Sequence, residues 1–119
     1  LITPNLPEAA VLLDRQEILT HEFHEAAHQL AQRYQVAVLL KGGHLNEESC
    51  LDYLVEGESS YEYTSLRINT NASHGTGCTL SSAIATYLGK GLPLAEAAER
   101  AVAAWKNNAN TVNLKVVNA

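Results

Sequence analysis

The chain has no methionine, one tryptophan, one phenylalanine and only two cysteines among its 119 residues. Cys50 and Cys78 are too few for a disulfide framework, so a reducing compartment, the cytoplasm, is the expected location. No apolar run approaches the ~20 residues of a membrane-spanning helix, and nothing near Leu1 reads as a signal peptide, so no membrane partner is expected. Positive charge is also sparse. Eight Lys and Arg stand against 13 Asp and Glu, for a net charge of −5, and the basic residues are scattered singly. A nucleic-acid backbone is bound by a basic stripe, and none exists here, so nucleic acid is excluded as an expected partner. Repeats and low-complexity linkers are missing as well. What remains is a composition with 46% hydrophobic residues, enough for one core and one domain. Leu1-Ile2-Thr3 reads as the end of a strand rather than the start of a domain, and a fragment is expected.

Pro4 to Pro7 forms a rigid turn, and Pro7 opens a helix continuing to about Leu13. Asn5 and Glu8 lie three residues apart across that turn. A second helix is expected behind Thr20 as N-cap, running to about Tyr34, with Phe23, Ala27, Leu30 and Tyr34 as its buried stripe. Val36 to Leu40 is a short, continuously apolar run, the mark of a strand buried on both faces. Lys41-Gly42-Gly43-His44 is expected to be the loop at its carboxyl end, where open α/β sheets place ligands. A lysine at that mouth suits a polyphosphate, and equally suits a strand-end side chain reaching into solvent. His44 and His74 fit either phosphate contact or a backbone hydrogen bond. Cys50–Val55 and Ser59–Tyr63 flank Glu56-Gly57-Glu58 as a hairpin, with a further short strand over Leu66–Ile68. Helices follow over about Gly77–Leu88, closed by Gly89 and Gly91, and Leu94–Asn108, the latter with a core face of Leu94, Ala97, Ala98, Ala101, Val102 and Trp105. The tail from Asn107 to Ala119 has no firm reading. Helices alternating with buried strands give the α/β class.

The segment Ser73-His74-Gly75-Thr76-Gly77-Cys78-Thr79 carries the strongest chemical signal. Two glycines one residue apart permit a turn whose N–H groups converge on one point, and that turn enters a helix. A phosphate or developing oxyanion there meets converging donors and the positive end of the helix dipole. Cys78, in the first turn, stands where a thiol is shifted toward thiolate. The same residues also fit a plain helix entry with an inert thiol, and local sequence does not separate the two.

His24-Glu25-Ala26-Ala27-His28 spells H-E-x-x-H, the pattern of zinc proteases. With Phe23 at the centre of the buried stripe, Ala27, Leu30 and Tyr34 fall within about 40° of it at ~100° per residue. His24, His28 and His21 fall at about 100°, 140° and 160° on the same wheel, on the flank and back of the helix. A catalytic zinc needs its histidines facing a walled cleft, so a polar helix face that happens to spell the motif is the preferred reading.

Three segments together, Thr3-Pro4-Asn5-Leu6-Pro7-Glu8, Val38-Leu39-Leu40-Lys41-Gly42-Gly43-His44 and Ser73-His74-Gly75-Thr76-Gly77-Cys78-Thr79-Leu80-Ser81, resemble the C-terminal half of the hydroxymethylpyrimidine (phosphate) kinases of thiamin biosynthesis, within the ribokinase-like superfamily. Gly91-Leu92-Pro93-Leu94-Ala95-Glu96-Ala97 resembles the family's next helix entry, and Cys78, in place of the Asp of most ribokinase relatives, marks this branch. The resemblance implies the C-terminal part of a single three-layer α/β/α, Rossmann-like kinase domain spanning residues 1–119, with the N-terminal half absent. It implies ATP-dependent phosphorylation, by a phosphotransferase with an alcohol or phosphate acceptor, of hydroxymethylpyrimidine and its monophosphate, with ATP and Mg²⁺ as cofactors. Asn5 and Glu8 then hold magnesium through water. Gly75, Thr76, Gly77 and Cys78 form the anion hole, and Cys78 is the catalytic base. Lys41, Gly42, Gly43, His44 and Ser73 line the nucleotide site. The family usually has Thr where Ser73 stands, and many members have Lys near Val102. A pyridoxal kinase of the same branch is the nearest alternative, followed by a non-catalytic piece acting as a phosphate-binding or structural partner, with the zinc protease last. A homodimer of the full-length enzyme, or association through an exposed sheet edge, is the expected assembly.

Overall fold

The computed structural model describes residues 1–44, 49–66, 76–105 and 113–118. Helix α1 (Leu6–Leu12) starts behind Asn5, whose side chain caps it. A 3-10 turn (Thr20–Glu22) leads into α2 (Phe23–Tyr34), which stops at Gln35 in the left-handed conformation, φ 55°. Strands β1 (Val38–His44), β2 (Ser49–Glu56) and β3 (Ser59–Leu66) follow, then α3 (Thr76–Gly89), α4 (Leu94–Trp105) and β4 (Asn113–Asn118).

The sheet has the order β1-β2-β3-β4, and every neighbouring pair is antiparallel. The short link between β2 and β3, with Gly57 at φ +60°, leaves no room for the long crossover that a parallel pair requires. Parallel pairing occurs on the other side of β1. Residues 1–4 run beside it, with Ile2 N donating to Ala37 O (3.0 Å), Leu39 N to Ile2 O (2.9 Å) and Lys41 N to Pro4 O (3.0 Å). Ile2 thus pairs with β1 as a strand residue does.

Alternation along the strands builds two cores. On one face Val38, Leu40, Leu51, Tyr53 and Val55 pack under Ala9 and Ala10 of α1 and Phe23, Ala26, Ala27 and Leu30 of α2. On the other, Leu39, Leu54 and Tyr63 meet Leu80 and Ile84 of α3 and Ala97, Ala98, Ala101 and Val102 of α4. Helices on both sides of one sheet make the three-layer α/β/α arrangement.

Several expectations change. The second helix is not capped by Thr20: the 3-10 turn absorbs that residue, and Leu19 N donates to Glu22 Oε1 (3.0 Å). Tyr34 is 40% exposed because its hydroxyl reaches sideways to Leu12 O (2.8 Å), and Ala26 takes its place in the buried face. The buried strand starts at Val38 rather than Val36, which is exposed. Lys41–His44 is not a loop but the end of β1. Leu40 pairs with Tyr53 and Gly43 with Leu51, so Lys41 and Gly42 together face Asp52 across a β-bulge. The tail contributes β4, paired along β3 from Thr64↔Asn113 to Ser60↔Asn118. Residues 67–68 of the expected extra strand and 106–108 of the last expected helix lie outside the described residues.

Candidate functional site

Residues 1–4 and β1 are parallel, so their carboxyl ends open on the same edge of the sheet. Two of the three segments singled out in the sequence therefore meet there. The first is the Asn5–Glu8 turn. Glu8 N donates to Asn5 Oδ1 and Asn5 N donates to Glu8 Oε1, both at 2.9 Å, which closes a reciprocal capping box. The N-x-x-E spacing thus has a local structural cause: the two residues fix each other at the start of α1, with both side chains at the exposed end of the helix.

The second is the bulge of β1. Gly42 adopts φ +87°, a conformation that side chains with a Cβ rarely take, and its N–H donates to Asp52 Oδ1 (3.2 Å). Asp52 is 8% exposed, so its carboxylate braces the bulge from a nearly dry position on the neighbouring strand. Gly43 is glycine for a different reason. A Cβ there would lie 2.7 Å from Cζ and 2.8 Å from Cε1 of the Phe23 ring, so α2 passes directly over the strand. Lys41 is half-buried, its backbone tied to Pro4.

The third segment is the start of α3. Its helical backbone begins at Thr76 and includes Gly77 and Cys78. Thr3 Oγ1 and Ser81 Oγ lie 2.7 Å apart, which brings the second turn of α3 against the residues that lead into the Asn5–Glu8 box. Ser73 and Gly75, and the side chains of His44, Thr76 and Cys78, lie outside what the structure describes. The edge therefore gathers Asn5, Glu8, Lys41 and Gly42, and the second turn of α3 is held against Thr3 beside them. Such an arrangement can hold a polyanion between a helix N-terminus, a glycine bulge and a carboxylate suited to a divalent cation.

The H-E-x-x-H residues do something else. His24 Nε2 is 2.7 Å from Glu62 Oε1, and His28 Nε2 is 2.8 Å from the Tyr53 hydroxyl. The His24 ring also stands edge-on to Tyr53, with centroids 4.6 Å apart. The flank of α2 that carries them is exposed, yet each imidazole reaches the sheet, and the two are directed to different partners. Among the described residues no group of three or more His, Cys, Asp or Glu side chains is placed to hold a metal. No helix among them is long and apolar enough to cross a membrane.

Sequence reasoning did not single out Asp52, Phe23 as the partner of Gly43, or the Thr3–Ser81 pair. Asp52 was legible only as a carboxylate inside a hairpin strand. Its partner depends on strand register. The hydroxyl pair joins residues 78 positions apart and leaves no local trace.

The fold is that of the ribokinase-like small-molecule kinases. It matches the ADP complex of Bacillus subtilis pyridoxal kinase with a TM-score of 0.74 and 35% identity, over 84% of this chain and 39% of that one. More narrowly, residues 1–116 match the model of the phosphomethylpyrimidine kinase family, and the chain belongs to that family. It is 50% identical over 86 residues to the hydroxymethylpyrimidine/phosphomethylpyrimidine kinase of Escherichia coli, covering 71% of this chain and 32% of that protein. It is 46% identical over 101 residues to a thiamine biosynthesis bifunctional protein of Geobacter sulfurreducens, covering 85% of this chain and 21% of that protein. The chain thus spans about a third or less of these two relatives' length.

Proposed function

We propose that this chain is the phosphate-handling part of a cytoplasmic kinase that transfers the γ-phosphoryl group of ATP to hydroxymethylpyrimidine and then to its monophosphate, in thiamine biosynthesis. The observation that carries this reading is the meeting of the Asn5–Glu8 box, the Lys41–Gly43 bulge and the start of α3 on one sheet edge, in a member of the phosphomethylpyrimidine kinase family. Phosphoryl transfer requires positioning and charge neutralisation above all, and this edge offers both.

In this reading the backbone N–H groups of Gly75, Thr76 and Gly77 stabilise charge on the transferring group. Cys78 takes the proton of the substrate hydroxyl as its oxygen bonds to phosphorus, and the bond to the leaving ADP breaks. Lys41, Gly42, Gly43, His44 and Ser73 line the nucleotide phosphates. Asn5 and Glu8 fit magnesium held through water: both are exposed oxygen-bearing side chains fixed at the start of α1, and hard oxygen groups of this kind suit a hydrated Mg²⁺. When bound, the ion neutralises phosphate charge.

The test is an ATP-dependent phosphorylation assay with hydroxymethylpyrimidine and pyridoxal, on this chain and on the protein extended upstream through the family's other half. Turnover of hydroxymethylpyrimidine by the extended protein is the expected result, and absence of turnover with both acceptors sinks the kinase reading. Cys78→Ala is expected to lower kcat by about 100-fold or more, the scale of general-base catalysis. A pyridoxal kinase is the second reading, favoured by the 35% identity to the Bacillus subtilis enzyme. Both acceptors present a hydroxymethyl group on a heteroaromatic ring, so the ratio of their turnover decides between them.

A further inference from the structure

We infer that the Thr3–Ser81 hydroxyl pair is a positioning clamp that sets the separation between the Asn5–Glu8 box and the phosphate-binding start of α3. The inference rests on the kinase reading above. Thr3 is anchored on both sides. Ile2 bonds to Ala37 and Leu39, and Pro4 O accepts from Lys41 N, so the backbone under Thr3 is part of the sheet. Two residues later the capping box begins, and its two 2.9 Å bonds carry the same rigidity into α1. On the far side Ser81 sits in the second turn of α3, the helix whose first turn holds Thr76, Gly77 and Cys78.

A helical hydroxyl ordinarily satisfies itself on the carbonyl four residues back. Thr86, one and a half turns further along α3, does this with Ser82 O at 2.9 Å. Ser81 engages Thr3 at 2.7 Å, a contact outside its own helix, in a partly buried position and across 78 residues of sequence. The bond therefore locks the height of α3 relative to the N-terminal strand. In the kinase reading the two elements it joins act on one transferring phosphoryl group, from its cation side and its anion-hole side. Misplacement of reacting groups by about 1 Å costs on the order of 100-fold in rate. Thr3 and Ser81 are thus positioning residues, which act through the elements they hold.

The experiment has two arms, so that failure of the clamp and failure of the kinase reading are told apart. The first arm is amide hydrogen exchange on the full 119-residue chain, wild type against Thr3→Val and Ser81→Ala. Exchange is expected to rise several-fold at the Glu8 amide and in the first turns of α3, while α4 is unchanged. Unchanged exchange at both elements overturns the clamp whether or not the protein has activity. The second arm measures phosphorylation with the upstream-extended protein. Each substitution is expected to lower kcat about tenfold with the KM for acceptor within about twofold. The double variant is expected to be no worse than the poorer single, because both remove one bond. Thr3→Ser, which keeps the hydroxyl, restores kcat. Single-variant kcat values within twofold of wild type, or losses that multiply in the double, overturn the positioning role. A wild type inactive on both acceptors, with the exchange changes present, leaves the clamp standing and removes the kinase reading.

Discussion

The two faces of the sheet are covered in different ways. On the α1/α2 face large side chains interlock: Phe23 and Leu30 press into Leu40, Tyr53 and Val55, and the Phe23 ring lies so close to β1 that position 43 has no room for a Cβ. On the α3/α4 face, among the described residues, no helix residue in the buried cluster is aromatic: Leu80 and Ile84 of α3 and Val102 of α4 supply the bulk, and alanines of α4 the close approach. Ala97, Ala98 and Ala101 bring α4 close to the strands, and Tyr63 donates its hydroxyl to Ala95 O at 2.8 Å. The first face fixes the bulge of β1 by shape. The second holds its helices by close approach and, among the described residues, by the Tyr63 hydroxyl bond and the Thr3–Ser81 bond at the edge. An aromatic interlock and an alanine contact respond to opposite insults, one to truncation and the other to enlargement.

Phe23→Ala should have the largest effect, a loss of about 3–5 kcal/mol in stability by chemical denaturation, because it empties the centre of the interlocked face. The same change should relieve Gly43, so that Gly43→Ala, destabilising in the wild type, becomes close to neutral in the Phe23→Ala background. Ala98→Leu probes the other face by enlargement and should cost about 1–3 kcal/mol, whereas Ala98→Ser should cost less.

Tyr63→Phe removes the bond to Ala95 O and should cost about 1–2 kcal/mol. It also carries a pH signature. Burial first, then the charges of Glu99, Tyr61 and Glu56, push the Tyr63 phenol well above its ordinary value. The folded state therefore holds this proton more tightly than the unfolded one. Its contribution is fully present below about pH 10 and declines as the pH rises past that value. Denaturation midpoints measured from pH 8 to 11 should fall more steeply in the wild type than in Tyr63→Phe. Equal slopes would remove Tyr63 from the account.

The smallest effect is expected at the site edge. Asn5→Ala should cost about 1 kcal/mol as a lost helix cap. Asn5→Asp keeps an acceptor for Glu8 N and should retain that stability. Any drop in kinase activity of Asn5→Asp then reads phosphate or cation handling rather than capping.

Much of the scaffold was legible from local chemistry. The apolar run ending at Leu40, the hairpin around Gly57 and the alanine face of α4 each follow from residues within a few positions of one another. The bulge was not legible. Lys41-Gly42-Gly43 carries loop chemistry, but pairing with β2 and the brace from Asp52 keep it in the sheet. The tail was unreadable for a related reason: Leu114, Val116 and Val117 remain exposed, so β4 is held by its ladder to β3 and not by a buried pattern. Tyr34 fitted the helical stripe and still left the core, since its hydroxyl reaches Leu12 O, a partner that periodicity does not reveal.

The sequence by itself determined the start of the first helix around Pro7, the hairpin and the two apolar faces, because turn conformations and side-chain periodicity act over a few residues. It also carried the family, through three motifs in fixed order. Tertiary structure alone decided that Phe23 occupies the space above Gly43, that Asp52 holds the Gly42 bulge, that His24 and His28 answer to Glu62 and Tyr53, and that Thr3 meets Ser81. Those contacts depend on strand register and on how two layers of helices settle on one sheet, which only the folded chain brings about.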